Sequence, residues 1–167
     1  MAKLVLTAVG EDRAGLVRSL ADAVNAHGGN WETSELAELA GVFAGVILVS
    51  VPDDRVDALR GDLAGVAGLQ VTPHVGTDVP VRHGVQMEFS VLGNDHPGIV
   101  REISDTLARH RLTIDHLTSR TIDAPMSGGT LFEATVRVRP LEGADLEAAV
   151  VDLERLAGEI QVDLTVA

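Results

Sequence analysis

The chain repeats itself. Displaced by 83 positions, Asp12-Arg-Ala-Gly15-Leu-Val17-Arg18 falls on Asp95-His-Pro-Gly98-Ile-Val100-Arg101. Without a gap, Gly10 also falls on Gly93, Asp22 on Asp105 and His27 on His110. Self-similarity of this kind dictates the architecture before any single element is read. Beyond residue 40 the second copy carries extra residues around Asp123-Ala-Pro-Met-Ser-Gly-Gly129. The register then recovers at an offset near 90, where Val56, Leu63, Val66 and Gly68 match Leu146, Leu153, Leu156 and Gly158. The 167 residues thus divide into two related modules, 1–76 and 84–167, with a short linker at 77–83 marked by Gly, Pro and polar residues from Val75 to His83. A module of this size buries only about 60% of its unfolded surface, so pairing two in one chain adds core.

Each module shows the same internal order. In the second, Val85, Met87, Phe89 and Val91 alternate with Gln86, Glu88 and Ser90, and a period of two means a strand with one buried face. The turn Gly93-Asn-Asp-His-Pro-Gly98 follows, with Pro97 suited to a helix start. Ile99, Ile103, Leu107 and Leu112 then fall on one side of a helix. A second strand runs from about Leu112 to Thr121. A third sets Phe132, Ala134, Val136 and Val138 against Glu133, Thr135, Arg137 and Arg139, and Pro140 stops it. Leu146, Val150, Leu153 and Leu156 space a second helix. The last strand alternates Ile160, Val162, Leu164 and Val166 with polar residues. The fold class is therefore α+β: two ferredoxin-like βαββαβ modules, each a four-stranded antiparallel sheet with two helices on one face.

The sheet faces away from the helices differ between the copies. In the second module that face should carry Gln86, Glu88, Ser90, Glu133, Thr135 and Arg137, which can sit in water. In the first, Val42-Phe-Ala-Gly-Val-Ile-Leu-Val-Ser-Val51 is apolar on both sides, as in strands buried on both faces. Val5, Gly45, Ile47, Val49 and Val51 are assigned to this open face. Burial against a second copy of the chain, a homodimer through Val5, Ile47 and Val49, is the expected consequence. A greasy sheet partly covered by the linker is the alternative.

The repeated turn, Gly-x-Asp-x-x-Gly-(Leu/Ile)-Val-Arg, is a helix N-terminus, whose first N–H groups lack intrahelical partners. Asp12 and Asp95 are placed where a carboxylate can cap those donors. Gly15 and Gly98 allow close backbone approach. The same N–H groups can hold a small anion such as a ligand carboxylate. A purely structural cap and an anion site are both compatible with these residues.

Gly-Glu-Asp-Arg-Ala-Gly-Leu-Val and Gly-Asn-Asp-His-Pro-Gly-Ile-Val resemble the Asp-x-Pro-Gly-(Ile/Val/Leu) signature of ACT domains, small βαββαβ regulatory modules that bind amino acids. His27-Gly-Gly-Asn30-Trp31-Glu32 is similar to their segment opening the second strand. His110-Arg-Leu-Thr113-Ile114-Asp115 is a looser version. The resemblance covers essentially the whole chain, and a bare tandem pair of this length resembles the glycine cleavage system transcriptional repressor group. It implies a site made by the loop before the first helix and completed from a neighbouring module by the residue opening strand two. Carried over by motif, the ligand-binding candidates are Gly10, Asp12, Gly15 and Asn30 in the first copy. In the second they are Asn94, Asp95, His96, Gly98 and Thr113. Ala14 stands where the family has Pro, and Thr113 where it has Asn. Either departure can disable one site.

Composition narrows the function classes. The chain has no Cys, so thiolate metal sites, disulfides and cysteine nucleophiles are excluded. Its formal net charge is −12, and its arginines at 109, 111, 120, 137 and 139 form no dense basic patch. Direct nucleic-acid binding is not expected. Apolar runs are too short to span a bilayer, no signal peptide is apparent, and a cytoplasmic protein is expected. His96 beside Asp95, with His110, Asp115 and His116, is the best case for a metal or acid–base centre, but the spacing matches no catalytic motif. No enzyme activity, metal or cofactor is expected. The resulting expectation is a regulator that binds a small amino acid and relays occupancy through protein contacts, including a partner protein if it controls transcription. Arg137 and Arg139 are candidates for that contact, or simply a solvated strand face. A ligand-free interaction module is the alternative.

Overall fold

A computed structural model describes residues 1–76, 87–123, 129–156 and, as backbone, 161–166. The chain divides into two compact units, Met1–Pro80 and Val81–Ala167. The linker expected at 77–83, Gln86 of the expected polar face and residues 124–128 of the insertion lie outside the described residues.

The first unit runs β1 (Ala2–Glu11), α1 (Leu16–Ala26), β2 (Asn30–Leu39), β3 (Val42–Val51), a 3-10 turn (Asp53–Arg55), α2 (Val56–Leu63) and β4 (Gln70–Val75). Its antiparallel sheet has the order β2-β3-β1-β4. The second unit runs β5 (Met87–Asn94), α3 (Ile99–Arg109), β6 (Leu112–Asp123), β7 (Thr130–Pro140), α4 (Leu146–Leu156) and β8 (Gln161–Val166), with the order β6-β7-β5-β8. Both are ferredoxin-like α+β units. In the second, the alternation in the sequence fixes the faces: Met87, Phe89, Val91, Phe132, Ala134, Val136 and Val138 are buried with Ile99, Ile103, Leu107, Ala149 and Leu153 from the helices. Glu88, Ser90, Glu133, Thr135 and Arg137 take the opposite face, where strand register keeps them together. Among the described residues no helix is long and apolar enough to cross a membrane.

The first unit corrects one expectation. Ile47, Val49 and Val51 do not lie on the open face; each is fully buried beneath the helices, with Leu4, Leu6, Leu20, Val24, Leu59 and Leu63. Register decides it. Leu4 pairs with Val49, Leu6 with Ile47 and Ala8 with Gly45, and paired residues share a face. Because β3 is apolar at nearly every position, its own periodicity could not choose between faces, and a shift of one residue exchanges them. The open face still carries apolar side chains, but they are Val5, Val9, Val46 and Leu48, with Val9 and Val46 each 49% exposed.

The turn after α1 shows how tightly the helix layer is closed. His27 caps the helix, Gly28 follows at φ +66, its N–H donates to the Asn25 carbonyl at 2.9 Å, and the Gly29 N–H donates to the Val24 carbonyl at 3.0 Å. This is the paired hydrogen-bond pattern of a Schellman C-terminus. A Cβ at Gly28 would meet nothing closer than Pro52 Cγ at 3.9 Å, so its requirement is conformational and not steric. Gly28→Ala is expected to cost about 1 kcal/mol, measured as a lower denaturant midpoint at unchanged slope. In α3 the same place is held by Arg111 at φ +60, so Arg111→Gly should be neutral or mildly stabilising.

Candidate functional site

The two repeated loops fold alike. Gly15 precedes α1 at φ 94, ψ −2, and Gly98 precedes α3 at φ 97, ψ −3. Both are left-handed conformations that side chains rarely adopt, which explains why glycine stands at this place in both copies. The first helical hydrogen bonds run from Ser19 N–H to the Gly15 carbonyl and from Glu102 N–H to the Gly98 carbonyl. Neither helix start has a side-chain cap. The capping role expected for Asp12 and Asp95 is therefore not observed. Glycine occupies the N-cap position itself and offers no side-chain oxygen, leaving the first-turn N–H groups of α1 and α3 without a side-chain acceptor; the Ile99 N–H donates to the His96 carbonyl at 3.3 Å.

The loops are held from outside. Asp12 N–H donates to the Gly41 carbonyl at 2.9 Å, and Asp95 N–H donates to the Thr130 carbonyl at 2.8 Å, so the first loop is tied to the β2–β3 turn and the second to the first residue of β7. In the first unit Gly10 lies against the segment before β4. A Cβ there would stand 2.0 Å from the Gly68 carbonyl oxygen. Arg13 reaches across the same gap, donating to the Ala67 carbonyl and lying over Gly68. Sequence inspection missed Arg13. Its repeat partner is His96, so identity between copies gave no signal. His96 lies 3.8 Å from Glu102 and is partly exposed.

The candidates do not all converge. Gly10 is in register with Phe43, whereas Asn30 is in register with Ser50. Seven residues of β3 separate those levels, about 24 Å at ~3.4 Å per residue. Likewise Asn94 pairs with Leu131 and Thr113 with Arg139, eight residues or about 27 Å apart on β7. Within one unit, then, Gly10, Asp12 and Gly15 lie at one end of the sheet and Asn30 at the other. Asn94, Asp95, His96 and Gly98 are separated from Thr113 in the same way.

Among the described residues, no group of three or more His, Asp or Glu converges. His110 is engaged with Asp152 at 2.9 Å, and Asp115 takes two hydrogen bonds from Arg139, at 2.7 and 3.2 Å. That pairing occupies Arg139, one of the two arginines considered for a partner contact, and raises its pKa above the ordinary guanidinium value. Arg120 pairs with Glu133 on the same face.

The Asp152 carboxylate is perturbed by its neighbours. The hydrogen bond from His110 is the main cause holding its pKa below the ordinary value; Arg155 and Arg109 act in the same direction, and partial burial opposes them. A depressed native pKa contributes stability above the unfolded carboxylate's pKa and loses it as pH falls through the native value. Asp152→Asn should therefore lower the melting temperature at neutral pH. The gap from wild type should close as the pH is taken below about 4. A gap that stays constant with pH would show that this carboxylate is not the titrating group.

Residues 2–71 match the family model described as the ACT domain. Among solved structures, the chain is similar to an unknown protein from Galdieria sulphuraria, at 29% identity and a TM-score of 0.85, over 99% of this chain and 98% of that one. It is also similar to a protein assigned as a glycine cleavage system transcriptional repressor, at 21% identity and a TM-score of 0.69, over 99% of this chain and 97% of that one, a likeness of fold. No curated protein matches the chain. The first unit is thus matched as an ACT domain, and the second unit repeats the same β-α-β-β-α-β order.

Proposed function

We propose that the protein is a non-catalytic regulator that binds a small amino acid and relays its occupancy through protein contacts. The observation that carries this is the duplicated helix start. In both units a left-handed glycine opens the helix with no side-chain cap, so the first-turn N–H groups can receive a carboxylate. In this proposal those groups hold the ligand's α-carboxylate, and Asp12 or Asp95 meets its α-ammonium. Asn30 or Thr113 then completes the site from a second copy of the chain, since each lies at the far end of its own sheet. Ligand that bridges two copies favours the arrangement in which both halves of the site meet, by its differential affinity for that state.

The likeness to a glycine cleavage system transcriptional repressor supports a place in the control of amino-acid metabolism. With a net charge of −12, the protein acts there through a partner protein and not by gripping DNA. Association of two copies through the first unit's open sheet, at Val5, Val46 and Leu48, belongs to the same proposal.

Thermal shift against the twenty standard amino acids tests it. A ligand at a hundred times its dissociation constant adds about 2.7 kcal/mol of stability, and Asp95→Ala should weaken the response if the second site is the occupied one. No shift with any amino acid would favour a ligand-free interaction module, for which the apolar open face of the first unit is the supporting feature.

A further inference from the structure

One of the repeat identities has no part in the loops. His27 and His110 are the C-cap residues of α1 and α3. Each ring turns toward the second helix of its unit: His27 Nε2 lies 2.8 Å from Asp62 Oδ2, and His110 Nε2 lies 2.9 Å from Asp152 Oδ2. Asp62 and Asp152 are themselves equivalent positions in the register that follows the insertion. Both halves of the pair are therefore kept in both copies, although the residues just before the histidines differ: Ala23, Val24, Asn25 and Ala26 in one, Thr106, Leu107, Ala108 and Arg109 in the other. The histidine side chains are largely buried, at 13% and 16% exposure.

A polar side-chain pair at a helix surface contributes little to stability by itself. What the pair fixes is position. His27 stands three residues before Asn30, and His110 three residues before Thr113. The connection is stiff in the first unit. Gly28 holds a left-handed conformation, and a Cβ at Gly29 would come within 2.9 Å of Val24 Cγ1 and 3.0 Å of the Ser50 carbonyl. In the second unit the Arg111 carbonyl accepts from Leu141 N–H at 2.9 Å, so the turn is braced by the segment before α4. Asp152 also meets Arg155 at 2.9 Å and Arg109 at 3.9 Å. The first pair is the simpler of the two, and the chain's single tryptophan, Trp31, follows Asn30 directly and packs on the first core.

We infer that His27–Asp62 and His110–Asp152 are duplicated latches that fix the residues opening strand two, Asn30 and Thr113, relative to α2 and α4, so that the second helix of each unit sets the affinity of the amino-acid site. The affinity half rests on the function proposed above; the positional half does not. His27 and Asp62 are positioning residues, and their effect reaches the ligand through Asn30.

The test uses the full chain with His27→Ala and His27→Gln. A glutamine amide nitrogen can occupy the place of imidazole Nε2 and still donate to Asp62, so the second variant should rescue what the first loses. Without any ligand, acrylamide quenching of Trp31 should rise in H27A and return to the wild-type value in H27Q. With each of the twenty standard amino acids as probe, the one that stabilises the wild type should bind H27A about tenfold more weakly, the loss of roughly one well-aligned hydrogen bond, and H27Q with near-native affinity. Unchanged Trp31 quenching in a folded H27A, or a change that H27Q fails to rescue, overturns the latch. Changed quenching with unchanged affinity overturns its control of the site. If no amino acid stabilises the wild type, the amino-acid function and the affinity half fall together, and the quenching result still decides the latch.

Discussion

Ile47→Lys is expected to remove much or all of the stability of the first unit, whereas Val46→Lys, one position away, leaves it folded and separates associated copies. Ile47 is fully buried among Leu6, Leu20, Val24, Leu59 and their neighbours. Replacing it removes the burial of a large aliphatic group, about 1.5–3 kcal/mol, and forces an ammonium into an apolar layer, which pushes the total beyond about 4–5 kcal/mol. A unit of this size has roughly 4–12 kcal/mol in all, at about 0.05–0.15 kcal/mol per residue. Val46 pairs with Thr7 on the other face of the sheet and is half exposed, so a lysine there keeps its head in water and costs the unit little. Trp31 emission reads the folding of the first unit, and sedimentation reads association. An I47K as stable as V46K would contradict the register of β1 and β3, and a wild-type protein monomeric at micromolar concentration would remove the proposed dimer.

Gly10→Ala should produce the second large loss. The added methyl would stand 2.0 Å from the Gly68 carbonyl oxygen and 3.0 Å from Leu69 Cδ2, and a backbone oxygen cannot swing aside as a side-chain end can. Overpacking against fixed backbone costs about 3 kcal/mol, or a fall of roughly 12–24 °C in the melting temperature of a unit this size. The contrast is Gly15→Ala. Nothing lies within 4 Å of its Cβ, and only the φ of 94° opposes it, so about 1–2 kcal/mol is expected. Melting both variants by circular dichroism checks the order. If G15A were the more damaging, the packing of the loop against the segment before β4 would be wrong.

Much of the fold was legible because periodicity and repetition reinforced one another. In the second unit strict alternation in β5 and β7 named the buried face residue by residue, and the helices followed from their three-to-four spacing. The first unit failed at β3 for a definite reason. A strand apolar at nearly every position has no period of its own, so its facing is set by pairing with β1 across about forty residues of chain, which no local pattern reveals. The two helix starts were legible in their glycines. Gly15 and Gly98 were matched between copies, and both hold the left-handed conformation that accounts for the match. The role of Asp12 and Asp95 was misread because a carboxylate near a helix start suggests a cap, while here glycine holds the cap position. Arg13 and the His–Asp latches escaped notice because their partners, Ala67, Asp62 and Asp152, lie on other elements and come near only in the folded unit.

The central claim is that the open helix starts receive an amino acid's carboxylate, and the backbone amide resonances of Leu16–Arg18 and Ile99–Arg101 address it most directly. Titrating a stabilising amino acid into labelled protein should shift the amide signals of at least one of these first turns, saturably and with the dissociation constant found by thermal shift, and Asp12→Ala or Asp95→Ala should weaken that titration. A stabilising amino acid that leaves both first turns unmoved while shifting signals elsewhere would contradict the claim.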